Sequence, residues 1–175
     1  MDVGDTLEIV EGSSEYAAWK KSHKASYLVH FFAMADDGPL TWEIGYYNKD
    51  DTISSFVVQG KKVELSDSAQ IFKKSSDPIP RLQVENIHTH FAEILDDAFA
   101  FSQKEYPNEK EIKRIVLLQH TDLGQVWNIT FITQSYKTLN MKFDAATGKL
   151  IKHSLGALID QAKTEEVSQQ ARGKL

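Results

Sequence analysis

The stretch IHTHFAEILDD, residues 87–97, places His88 and His90 ahead of Glu93 and Asp97, four side chains able to bind a divalent metal. Read as helix, it does not make a metal site. Residues two apart on a helix project about 200° from one another, unlike the i, i+4 pair of a helical zinc motif. His90, Glu93 and Asp97 do share a face, but it lies opposite Phe91 and Leu95 and reads as a solvated polar surface. His30 sits inside an apolar strand, as a core or interface histidine, and His120 stands beside a turn. The carboxylate pairs Asp36/Asp37 and Asp50/Asp51 fall at predicted hairpin turns, where Asp accepts local backbone bonds. The N-x-T triplet at Asn128–Thr130 lies within a strand and is read as accidental. The chain has no nucleophile elbow, phosphate-cradling glycine loop or dinucleotide fingerprint. With no cysteine, it has no disulfide, thiolate nucleophile or sulfur-ligated metal. No catalytic residue, metal or cofactor is predicted.

The elements that carry these residues are clearest in the second half. In VWNITFIT, Trp127, Ile129 and Phe131 alternate with Asn128 and Thr130, the period of a half-buried strand. Leu139, Met141 and Phe143 repeat it, and Ile115 to Leu118 is a further apolar run ahead of a turn with Asp122 and Gly124. After Phe143, Asp144 can accept N–H bonds from Thr147 or Gly148, and Gly148 can supply a positive φ before Leu150 and Ile151 resume a strand. Asp144, Thr147 and Gly148 are thus a structural turn. Ahead of this meander, Ile87, Phe91, Ile94, Leu95, Ala98 and Phe101 form one stripe of a helix predicted from Val84 to Glu105, closed by Pro107.

The first half offers a similar order. A short helix is predicted from Glu15 to Lys24, capped by Ser13 or Ser14, and then a strand from Tyr27 to Met34. DDGPLTWEIGYY lies over TDLGQVWNITFI, matching Trp42, Ile44 and Tyr46 to Trp127, Ile129 and Phe131. TISSFVVQGKKVEL then supplies two more strands around Gly60. Duplication explains the match; chance competes with it, because alternation and glycine turns recur in all β-meanders. The predicted organisation is a helix-plus-meander unit over 13–74, which includes a short linking helix from Asp67 to Lys74. A linker follows over 75–83, a second unit over 84–155 and a helical tail over 156–175. The fold class is α+β, two similar units each with a helix packed on an antiparallel meander.

From Phe91 to Leu150 the order of helix, strand, Trp-bearing strand, alternating strand and Asp-x-x-Thr-Gly turn resembles a PepSY domain, a small module of cystatin-like shape. The residues that carry the resemblance are Phe91 to Phe101, Val116 to Leu118, Trp127, Ile129, Phe131, Met141, Phe143, Asp144, Thr147, Gly148 and Leu150. It covers residues 84–152. The first half departs from it, since VVQGKK replaces the turn and no Asp matches Asp144. The resemblance implies a non-catalytic binding or regulatory role and names no ligand.

Composition narrows the partners. The 175 residues are 41% hydrophobic and 26% charged, with net charge −5 and no basic run, so nucleic acid is not expected. No apolar run approaches the ~18–20 residues of a membrane span, and the acidic start MDVGDTLEIVEGSS reads as cytoplasmic, although a processed exported domain would have the same composition. The favoured function is a non-enzymatic module that meets a protein or peptide through an open sheet face or edge, with Trp42, Tyr46, Tyr47 and Trp127 as candidate contact residues. The same rings could instead fill the contact between the two units. The alternative function is a small-ligand carrier or enzyme, with an apolar cavity edged by His30, Tyr47 or His120. An unpaired strand edge makes a homodimer a further expectation.

Overall fold

The computed structural model describes residues 2–35, 41–66, 69–70 and 78–157. Its architecture is α+β: three α-helices on one antiparallel sheet. Two helices open the chain, α1 (Val3–Glu11) and α2 (Ser14–Lys20). Four strands follow, β1 (Tyr27–Ala35), β2 (Thr41–Tyr47), β3 (Thr52–Gln59) and β4 (Lys62–Leu65), with a two-residue β5 (Ala69–Gln70). Then come α3 (Phe91–Glu105), β6 (Glu111–Thr121), β7 (Gly124–Thr133), β8 (Lys137–Asp144) and β9 (Leu150–Ala157).

The strand order is β4-β3-β2-β1-β6-β7-β8-β9, with β5 also on β3. Two meanders are therefore joined edge to edge through β1 and β6, where the sequence led us to expect two bodies leaning on one another. From His30 onward the pairings β1–β2 and β2–β3 become those of β6–β7 and β7–β8 when every residue number is raised by 85. Ala33↔Trp42 becomes Leu118↔Trp127, and Trp42↔Val58 becomes Trp127↔Phe143. At the seam Phe32 pairs with Leu117, its own counterpart under the same shift.

Alternation sends Phe31, Trp42, Ile44, Tyr46, Phe56, Val116, Leu118, Trp127, Ile129, Phe131, Met141 and Phe143 to one face, and all are buried. The helices cover this face, α1 and α2 over β3 and β4, and α3 over β7 and β8. Fully burying rings such as Trp127 and Phe131 contributes roughly 1.5–3 kcal/mol each. Phe91, at the start of α3, stands between the two halves: its ring centroid is 5.2 Å from that of Trp42 and 5.8 Å from that of Trp127.

The helices depart from the sequence reading at their ends. α1 was not anticipated: Asp2 caps it by accepting from the Val3 N–H at 2.6 Å, and Val3, Thr6 and Val10 are buried. α2 is capped by Ser13, whose Oγ accepts from the Tyr16 N–H at 3.1 Å, and it stops at Lys20 rather than Lys24. There the Trp19 carbonyl accepts from the Ser22 and His23 N–H groups, which turns the chain out of the helix. α3 begins at Phe91 instead of Val84, and Val84–Asn86 forms a single 3-10 turn. The intervening residues bond elsewhere, with the His88 N–H and the Thr89 hydroxyl both donating to the Ala145 carbonyl. In the predicted linking helix 67–74, Ala69 and Gln70 pair with Ile53 and Thr52 as strand, and the rest lies outside the described residues. Of the predicted tail 156–175, Gly156 and Ala157 complete β9 and residues 158–175 lie outside the described residues. Residues 75–77 of the predicted linker also lie outside them.

Candidate binding face

The four aromatic candidates occupy the interior. Trp42, Tyr46 and Trp127 point to the helix-covered face, with exposures of 4%, 2% and 0%. Tyr47 points to the other face but is only 6% exposed: its ring lies 5.5 Å from that of Tyr27 and its hydroxyl donates to the Asp51 carboxylate. None of the four offers a ring to a partner from this position, because the strand period that marks them as half-buried also turns them under helices or neighbouring rings. Tyr46 instead joins Tyr16, Trp19 and Phe56 in an aromatic cluster beneath α2. The Tyr46 and Tyr16 hydroxyls both donate to Glu11 Oε1, at 3.2 and 3.3 Å. Burial pushes Tyr16 up to about 12, and Tyr46 is raised further by burial and by Glu11, so both stay protonated donors at neutral pH.

The polar candidates do not converge either. His88, His90, Glu93 and Asp97 are exposed, and His90 precedes α3 rather than sharing its face. Among the described residues no three of His, Asp and Glu come together as a metal site. His120 Nδ1 lies 3.1 Å from the Arg81 carbonyl. His30 lies flat over Gly45 on the next strand, where a Cβ would stand 2.2 Å from its Cε1. Burial lowers its pKa, so the imidazole is neutral at pH 7. Asp144 sits in its turn: its Oδ1 accepts from the Thr147 hydroxyl at 2.8 Å and from the Thr147 and Ala146 N–H groups at 2.7 and 3.1 Å. Gly148 follows at φ 72°, and the hydroxyl bond above all lowers the Asp144 pKa.

Clefts lie at the rim of the molecule. One of about 390 Å³ is lined by Lys21, His23, Lys24, Asn48, Lys49 and Asp50, and another of about 310 Å³ lies beside Tyr27, Tyr47 and Pro78. Side chains pack most of the space between helices and sheet, and a cleft of about 350 Å³ opens between the end of α3 and the sheet, beside Phe99, Ser102, Glu111 and Phe131.

A broader feature is the sheet face opposite the helices. Among the described residues no α-helix lies on it, and the segment after Pro78 runs along one end of the sheet, where Arg81 covers the Tyr27 ring at 4.8 Å and the Arg81 and Gln83 carbonyls meet His120 and Gln125. Phe32, Leu117, Ile115 and Val57 are half-buried there, and Met34 is 44% exposed. Towards β8 the surface turns polar, with Asn140 Nδ2 donating to Asn128 Oδ1 at 2.7 Å and Thr130 Oγ1 at 2.8 Å. Sequence patterns could not locate the centre of this face, because the neighbour of β1 across the seam is contributed by a strand some 80 residues away.

No family model matches the chain, and no curated protein matches it. Among solved structures it is similar to a presumed lipoprotein from Clostridium difficile 630, with a TM-score of 0.58 and 13% identity over 89% of this chain and 93% of the other. At that identity the likeness is one of fold, a sheet-rich α+β body with no helix among the described residues long and apolar enough to cross a membrane.

Proposed function

We propose that the chain is a non-enzymatic binding module whose open sheet face receives a protein or peptide, and that its two meanders are diverged copies of one helix-plus-meander unit. The observation that carries the binding reading is a sheet face on which no helix lies among the described residues, with half-buried Phe32, Leu117 and Ile115 at its middle and Met34 exposed beside them. A contiguous apolar centre within a polar surround is the usual composition of a recognition surface. The shared register of the two meanders supports duplication, and the Asp144–Gly148 turn supports the PepSY-like reading of the second copy. Export belongs to the proposal as well: the similar structure is called a lipoprotein, which favours an extracytoplasmic setting over the cytoplasm.

A photo-crosslinking residue in place of Phe32, compared with one at the exposed hairpin position Tyr136, tests the binding role. Discrete protein adducts from position 32 alone support it. Equal adducts from both positions, or none from either, together with large saturable stabilisation by a small metabolite in a thermal-shift screen, would replace it with the carrier reading.

A further inference from the structure

We infer that the occupant of the open face is a second copy of this chain, packed face to face about a two-fold axis parallel to the strands at the β1–β6 seam. This rests on the reading of that face as a binding surface and names its partner. The observation is one complete cross-strand row. Its pairings run Glu64↔Val57↔Glu43↔Phe32↔Leu117↔Asn128↔Lys142↔Lys152, through all eight strands from β4 to β9. Two acids stand at one end, two lysines at the other and two apolar side chains at the seam.

Rotating a copy by half a turn about the seam axis reverses this row. Phe32 then meets Leu117 of the other copy, Glu64 meets its Lys152, and Glu43 lands over its Asn128, one strand from its Lys142. Sheets stack about 10 Å apart and strands lie ~4.8 Å apart, distances that long Glu and Lys side chains span. The other two-fold arrangement, about an axis along the row, sets like charges on like and is disfavoured. Glu43, Lys142 and Lys152 have no ion-pair partner among the described residues. Glu64 is bonded to Lys62 at 2.5 Å, and with both side chains more than 60% exposed this pair holds little energy. Off the row, His30 and Lys113 face this side near the seam, Lys62 faces it at the acidic end, and Asp144 faces it at the basic end with its Oδ1 occupied by its own turn.

The charge difference is confined to this face. Under the 85-residue shift Glu43 corresponds to Asn128 and Val57 to Lys142, whereas the counterparts beneath the helices stay apolar: Trp42 and Trp127, Ile44 and Ile129, Val58 and Phe143. Seven strand spacings make the face about 34 Å wide, and with ladder rows spanning about 20 Å it offers roughly 700 Å² per copy. That is close to the ~800 Å² per partner of a standard interface.

Sedimentation velocity of the purified chain, up to roughly 100 µM, is the test, because association over an area of this size can be weak. The wild type should form dimers. Glu43→Lys alone and Lys142→Glu alone should each weaken self-association at least about tenfold, by setting like charges one strand apart across the interface. An equimolar mixture of the two variants should associate as the wild type does. Circular dichroism checks that each variant is folded. A wild-type chain monomeric throughout overturns the inference, as does a dimer indifferent to both substitutions or broken only by a proline in the edge strand β9. Adducts to other proteins from position 32 in a chain that stays monomeric would leave the module and remove only the self-pairing.

Discussion

Phe32 on β1 stands directly across from Leu117 on β6, and at this pair two four-stranded meanders become one sheet. Both side chains face away from the helices and are half-buried, so the join is capped by apolar groups on its open side while Phe31, Ala33, Val116 and Leu118 seal it beneath. A break in this join would uncover core on both sides.

Phe91 is the second link between the halves. Replacing it with Ala should destabilise the fold by about 3–5 kcal/mol, the usual cost of a large ring removed from a core. The loss should appear in urea denaturation followed by fluorescence, because Trp42 and Trp127 both lose a ring neighbour. A cost below about 1 kcal/mol would mean that Phe91 does not bridge them.

Gly45 has to remain glycine while His30 keeps its place. Gly45→Ala should cost about 1–3 kcal/mol by overpacking, since the added Cβ would stand 2.2 Å from the imidazole. Adding His30→Ala should recover part of that loss. A double variant no more stable than the single one would show that the strain arises elsewhere.

Asp144→Ala removes the acceptor of one hydroxyl and two backbone N–H groups, and should cost about 1–2 kcal/mol by analogy with lost helix caps. Gly148→Ala should destabilise as well, because φ is 72° there and L side chains resist that region. Chemical denaturation of the two single variants and the double should show losses that fail to add, since both act on one turn. Strict additivity would count against a shared role.

Stability should fall in two pH steps. His30 has a pKa below its ordinary value of 6.5 because it is buried. The unfolded chain therefore takes up its proton first, and stability drops as pH is lowered from about 6.5 towards the folded value, with no effect above that window. His30→Asn should flatten this step. Glu109 is held down to about 2 from 4.5, first by the Lys137 ammonium at 2.5 Å and then by the Ser135 and Thr133 hydroxyls. Its contribution is complete above pH 4.5 and disappears as pH falls towards 2, a step that Glu109→Gln should remove. Equilibrium unfolding measured between pH 2 and 8 in the three proteins separates the two, and a wild-type curve that is flat from pH 7 to 5 would sink the His30 assignment.

The strands were legible because alternation is local: each of Trp127, Ile129 and Phe131 declares its side of the ribbon through its immediate neighbours. The helix starts were less so. His88 and Thr89 satisfy their hydrogen bonds on Ala145, more than 50 residues away, so apolar spacing from Val84 onward overstated α3. α1 did carry a signal in Asp2 followed by Val3, Leu7 and Val10, but an acidic chain start drew attention to charge rather than to period. The candidate rings are buried, and the sequence left open whether they pack inside or meet a partner. Aromatic type marks burial and binding alike, and only the helix layer decides between them. The charged row was beyond reach, because Glu43 and Lys142 become members of one line only through pairings that cross the seam.

That seam also sets what happens to a severed chain. A nick just ahead of Pro78 would leave two pieces, each ending in a naked ladder, β1 on one and β6 on the other. Such pieces have little reason to persist apart and a ready-made route back together. The molecule is thereby a natural scaffold for split-reporter complementation, with reassembly rather than folding as its controllable event.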